Sequence, residues 1–151
     1  MALDPHSIAL IETWRLGFLA STGPDGRPNV SPKGTFVVLD PGTIAFAEMR
    51  SPGTMRNLQT MPEIEVNFVD ILSRRGIRIR SRAEICPRGT PEFAELLPAF
   101  SDLWPDLLAK FNAIIRLPIS QLRPLQSPAY ETGTTEAELR DLWKRKIGEM
   151  P

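Results

Sequence analysis

The chain has one histidine, His6, and one cysteine, Cys86, in 151 residues. A lone histidine near the start argues against a Ser-His-Asp triad, a Cys-His dyad or a histidine-rich zinc site. A lone cysteine closes no internal disulfide and builds no thiolate zinc site, which fits a reducing compartment. No metal is therefore expected. Net charge is absent too: 18 Lys and Arg balance 18 Asp and Glu, so the chain has no global attraction for nucleic acid. No apolar run approaches the roughly 20 residues of a membrane helix. The segment Met1-Ala2-Leu3-Asp4-Pro5-His6 has no basic stretch ahead of an apolar one, so no secretory signal is expected. These absences together describe a cytoplasmic protein with neither nucleic acid nor a membrane as partner.

What is present is enough apolar sequence, 42% of residues, to build a core without disulfides or a structural metal. The length suits one domain over residues 1–151. Fifteen prolines and ten glycines imply many turns and short elements. Helical spacing over residues 6–15 predicts a short helix with Ser7 as its cap. Residues 16–22 read as a strand, closed by the turn Gly23-Pro24-Asp25-Gly26. Pro28 to Pro32 lead into a second strand that continues extended from Gly34 to Leu39. After the turn Asp40-Pro41-Gly42, residues 43–48 make a third, so the start of the chain is an antiparallel meander.

Ser51 and Pro52 open a helix, as cap and first helical residue, and Pro62 marks its stop. Ile64, Val66 and Phe68 alternate with polar neighbours, as in a half-buried strand. From Gly76 to Ile85 the alternation is strongest: Ile77, Ile79, Ser81, Ala83 and Ile85 on one face, Arg78, Arg80, Arg82 and Glu84 on the other. Residues 91–112 carry a 3.6-residue apolar period interrupted by Pro98 and Pro105, which predicts two short helices inserted before the last strand. That strand is read over 113–119, ended by Pro118, with a loop over 123–134. A helix over about 136–147 starts with the capping box Thr135–Glu138. It carries the ion pairs Glu136–Arg140 and Asp141–Arg145 and an apolar stripe of Leu139, Leu142, Trp143 and Ile147.

Three stretches in order, LGFLASTGPDGRPN, VSPKGTFVVLDPGTIAFAEMRSPGTMRNLQTMPEIEVNFVD and RGIRIRSRAEI, resemble the pyridoxamine 5′-phosphate oxidase-like family of flavin-binding split barrels. The likeness covers about residues 16–85. It implies a mainly β, α+β fold: a six-stranded antiparallel Greek-key split barrel with flanking helices. It also implies a homodimer with flavin mononucleotide (FMN) at the subunit interface. The implied function is an FMN-dependent oxidoreductase acting on a small-molecule substrate; NADH and NADPH are candidate electron donors. Two other readings keep the same fold: a non-catalytic protein holding flavin or another planar cofactor, and a dimer with no cofactor. Haem would need an axial ligand, and His6 is the only histidine.

By resemblance, Val30, Ser31, Pro32, Lys33 and Gly34 approach the flavin ring or ribityl chain, and Lys33 supplies positive charge that favours the reduced anion. Ser51, Thr54 and Asn57 match the phosphate-binding helix start, where free N–H groups and the helix dipole favour an anion. Arg50 and Arg56 lie close by. Many relatives have a basic pair where this chain reads Gly53-Thr54, a weaker clamp. Glu48 completes this group, and Arg74, Arg75 and Gly76 match a stretch that reaches the flavin pyrimidine edge from the other subunit. Each has a plainer reading: Lys33 a solvated lysine, Ser51 and Thr54 helix caps, Arg74 and Arg75 a basic turn. Arg78, Arg80 and Arg82 could bind phosphates or acidic partners, and their plainer reading is a solvated face or a dimer-interface pairing with Glu48, Glu63 or Glu65. Trp14, Trp104 and Trp143 read as core, although Trp104 or Trp143 could cover a flavin ring, and Cys86 reads as a small buried hydrophobe.

Overall fold

Strand β5 (Glu63–Asp70) and strand β6 (Arg75–Arg82) show how the alternating sequence builds the sheet. Ile64, Val66 and Phe68 turn inward with Ile77, Ile79 and Ser81, all buried. On the outer face the arginines meet carboxylates across the strands: Arg80 with Glu65 at 2.6 Å, Arg82 with Glu63 at 2.8 Å, Arg78 with Glu65 at 3.7 Å. Glu48 takes no part. Exposed pairs of this kind contribute little energy, but they fix the antiparallel register Glu65↔Arg80.

The computed structural model describes residues 1–151. Helix α1 (Pro5–Trp14) leads into β1 (Gly17–Thr22), β2 (Pro28–Lys33), β3 (Phe36–Asp40) and β4 (Thr43–Glu48). Helix α2 (Pro52–Thr60) precedes β5 and β6, and a short strand β7 (Glu84–Pro87) follows. Then come α3 (Pro91–Leu96), α4 (Pro98–Ser101), a 3₁₀ turn (Pro105–Lys110), the long strand β8 (Ala113–Gln126), a second 3₁₀ turn (Pro128–Thr132) and α5 (Glu136–Gly148). The sheet order is β2-β1-β5-β6-β8-β4-β3, with β7 also on β8. All paired strands are antiparallel. This is the split barrel with flanking helices, built from eight strands rather than six.

The extra strands arise where long extended runs change neighbours. The run over 28–39 breaks at Gly34-Thr35: β2 pairs with β1, β3 with β4. The Thr35 hydroxyl spans the break, donating to the Ala47 carbonyl at 2.9 Å and accepting from its N–H at 3.1 Å. The predicted strand 76–85 breaks at Ala83; Ile85 still packs, half-buried, against the main core, and Cys86 beyond it is buried. The last strand does not stop at Ile119. Its first half pairs with β4 and β7, its second half with β6. Pro118 sits where the strand leaves one neighbour for the next, so its missing N–H breaks no ladder. The Ser81 hydroxyl donates to the Pro118 carbonyl at 2.7 Å. Residues 123–126 are therefore strand, and 128–132 a helical turn, not loop.

Helix ends differ in detail from the sequence reading. Asp4, not Ser7, caps α1: its carboxylate accepts the Ser7 N–H at 2.7 Å and Pro5 occupies the first helical position. Residues 91–110 form three short pieces, each opening on a proline. In α5 the capping box and the Glu136–Arg140 pair form. Asp141 and Arg145 do not pair, and only Leu139 of the apolar stripe is buried. The main core lies inside the barrel around Phe36, with Phe46 at 5.3 Å and Phe68 at 4.7 Å between ring centroids. A second cluster, including Phe93, Phe100 and Phe111, fastens the 91–110 segment to β3 and β4. No helix is long and apolar enough to cross a membrane.

Candidate functional site

Lys33 ends β2 opposite Gly17 of β1. Leu19 and Ser21, on the same side of β1 as Gly17, are buried, so Lys33 points into the barrel end. The position opposite is glycine for a packing reason: a Cβ at Gly17 would lie 2.5 Å from the Phe36 ring and 2.8 Å from that of Phe68. Lys33 is only 9% exposed. Its ammonium donates to the Thr54 hydroxyl at 3.2 Å and lies 5.9 Å from the Phe46 ring centroid. It has no other hydrogen-bond partner and no ion pair. Burial lowers its pKa below the ordinary lysine value, and the Glu48 charge only partly offsets this. A buried cation with three donors and one acceptor favours an anion beside it.

Thr54 stands in the first turn of α2. The helix begins Ser51-Pro52-Gly53-Thr54, and Ser51 does not cap it with its side chain. Instead the Glu48 carboxylate accepts both the Ser51 N–H, at 2.6 Å, and the Ser51 hydroxyl, at 3.2 Å. No protein group accepts from the N–H groups of Gly53 and Thr54, which remain free as first-turn donors. Further along, Asn57 is buried and donates to the Ser21 hydroxyl at 2.9 Å, tying α2 to β1.

A cavity of about 350 Å³ opens beside these groups. Pro32, Lys33, Gly34 and Thr35 form one side, Ala47, Met49, Arg50 and Ser51 the next, and Trp104 with Leu107 a third. It contains two cations and no carboxylate. Of the sequence-derived residues, Pro32, Lys33, Gly34 and Ser51 share this cavity, with Thr54 joined to it through Lys33. Thr35, Met49 and Leu107 were not singled out in the sequence. A Gly-Thr pair inside an extended run is the signal for Thr35, and Leu107 shares the apolar helical period of Trp104, whereas Met49 gives none.

The remaining candidates lie elsewhere. Val30 is on the outer face of the sheet, 63% exposed. Ser31 pairs with Leu19 and does not line the cavity. Arg74, Arg75 and Gly76 line two other cavities, of about 640 and 380 Å³; Arg75 and Gly76 border both. Here the C-terminal segment holds the arginines. Arg74 lies 3.4 Å from the Trp143 ring centroid, and Arg75 lies 4.3 Å from that of Tyr130 and pairs with Glu136 at 3.0 Å. Gly76 permits close strand packing, since a Cβ there would sit 2.3 Å from the Phe68 carbonyl oxygen. His6 is exposed and borders the cavity of about 640 Å³, not the Lys33 cavity. Burial raises the pKa of Cys86 and leaves a poor nucleophile.

Comparison with known proteins agrees with this architecture. HupZ of Group A Streptococcus superposes with a TM-score of 0.71 at 24% identity, over 83% of this chain and 95% of that one. An F420 reductase gives 0.62 at 22%, over 80% and 98%. HutZ, the heme storage protein of Vibrio cholerae, gives 0.64 at 18%, over 82% and 94%. At these identities the likeness is one of fold, and two of the three names carry different ligands, F420 and heme. No curated protein matches the chain. The family model described as pyridoxamine 5′-phosphate oxidase matches residues 3–118, and the chain belongs to that family.

Proposed function

We propose that this protein is an FMN-dependent oxidoreductase acting on a small molecule, with the flavin phosphate held between Lys33 and the start of α2. The observation that carries the reading is the buried Lys33 ammonium, hydrogen-bonded only to Thr54, at the edge of a cavity without a carboxylate. That donor set fits a phosphate: one buried cation, the Thr54 hydroxyl, the free N–H groups of Gly53 and Thr54, and Arg50 on the cavity wall. Glu48 serves it indirectly by fixing Ser51 and orienting the helix start. Bound FMN would supply hydride acceptance and donation. The chain's own work is to hold the anion, exclude water and keep Lys33 protonated. An anion beside Lys33 reverses the effect of burial on its proton affinity.

In one chain Arg74, Arg75 and Gly76 border cavities other than that of Lys33. We take the working unit to be a homodimer in which a second copy brings these residues to the flavin. Bleaching of the bound flavin by NADH or NADPH, with colour restored by air, would favour catalysis. Colour that neither donor bleaches would favour a carrier. Haem is the weaker alternative, because the Lys33 cavity has no histidine among its lining residues.

A further inference from the structure

The Lys33 cavity has one wall that the barrel does not provide. Trp104 and Leu107 come from the helical segment between β7 and β8. The indole is held from two sides. The Phe100 ring packs at 6.1 Å between centroids and itself meets Phe111 edge-on at 5.7 Å. The Arg15 guanidinium lies 5.7 Å from the indole centroid, and its Nη1 donates to the Phe36 carbonyl at 3.0 Å. Arg15 ends α1 in the left-handed region, with φ at 49°. That conformation is uncommon for a residue with a side chain and persists where its contacts hold it. Trp104 is nevertheless only half-buried, because part of it remains at the cavity.

We infer that Trp104 is a ligand-recognition residue: its indole forms the wall against which the planar ring of the bound ligand packs, while the anionic end lies at Lys33. The helical segment over 91–110 is then a specificity element that selects a flat aromatic ring system. This rests on the FMN reading above. Lys33 and Arg50 select the charge; Trp104 selects the shape. Aromatic walls of this kind add directional packing to simple burial.

The test compares the full-length chain with Trp104→Phe, Trp104→Ala and Lys33→Ala. Each is titrated with FMN and with lumiflavin, which has the ring but no phosphate. Trp104→Ala should weaken both ligands by about tenfold, equivalent to about 1.4 kcal/mol, whereas Lys33→Ala should weaken FMN alone. An indole in contact with flavin quenches its emission. Bound FMN should therefore be dark in the wild-type chain and several-fold brighter in Trp104→Phe. That readout does not move if Trp104 is only structural, and the phenylalanine variant answers the question if alanine fails to fold. If wild-type chain binds FMN but Trp104→Phe leaves its emission and affinity unchanged, the inference is overturned and the FMN reading stands. If wild-type chain binds no FMN, both fall.

Discussion

Lys33 and Thr54 meet at 3.2 Å, joining the end of β2 to the first turn of α2. The contact closes the barrel end and places a cation at a helix start, where free N–H groups already favour negative charge. Thr54→Val keeps the shape and removes the hydroxyl. It should weaken FMN by about tenfold, equivalent to about 1.4 kcal/mol, and riboflavin hardly at all. Equal losses for both ligands would remove the phosphate from this place.

Lys33→Met should separate stability from function. In the free protein, burial lowers the lysine pKa, so the folded state binds protons less readily than the unfolded chain. Holding Lys33 charged therefore works against folding below its folded pKa, and the penalty is relieved as pH rises from there toward the unfolded value. The methionine variant should be more stable at neutral pH by about 1 kcal/mol, with a melting temperature about 3 °C higher, and should lose FMN. A fall in melting temperature would mean that Lys33 contributes net stability.

Gly17→Ala should be among the most damaging small substitutions in the chain. The new methyl would meet the Phe36 and Phe68 rings and, at 2.9 Å, Val66, all of them fully buried. Overpacking of this kind costs about 1–3 kcal/mol. Urea denaturation measures it; an unchanged midpoint would mean that the barrel end yields more easily than its packing indicates.

Asp70 anchors the C-terminal segment. Burial alone would raise its pKa. Hydrogen bonds from the Leu72 and Ser73 N–H groups and the Ser73 hydroxyl, together with the Arg140 charge, outweigh that and hold it below the ordinary value. A carboxyl with a depressed folded pKa stabilises above its unfolded value, about 4, and loses that contribution as pH falls below it. Protection of the α5 amides, taken as exchange relative to the intrinsic rate at each pH, should therefore fall below about pH 4. Asp70→Asn should show fast exchange already at neutral pH. Exchange in α5 that is indifferent to both changes would show that the remaining contacts, burial of Leu139 and the Arg74–Trp143 and Arg75–Glu136 pairs, hold the helix.

Much of the barrel could be read directly from side-chain alternation. Strands β5 and β6 declare their inner and outer faces, and Arg80 and Arg82 find Glu65 and Glu63. Pro98 and Pro105 break the helical segment as their chemistry requires. The sequence reading failed where a strand changes neighbours. Pro118 marks a strand end only if the same partner continues, and nothing local to residues 113–126 announces the move from β4 to β6. At the start of α1, the pair Asp4-Pro5 was a better cap signal than Ser7. In the candidate site, Lys33 and Thr54 stood out in the sequence, and the structure brings them into contact. Met49 did not, because a cavity wall assembled from distant segments has no sequence period. Trp104 belongs both to an apolar stripe and to the cavity, and spacing alone could not separate the two.

The most direct test of the central claim is a calorimetric titration of the full-length protein with FMN, and with riboflavin as the control lacking only the phosphate. Tight binding of FMN and much weaker binding of riboflavin is the predicted result, since the site is built around an anion at Lys33. Equal affinity for the two, or no binding of either, would contradict it.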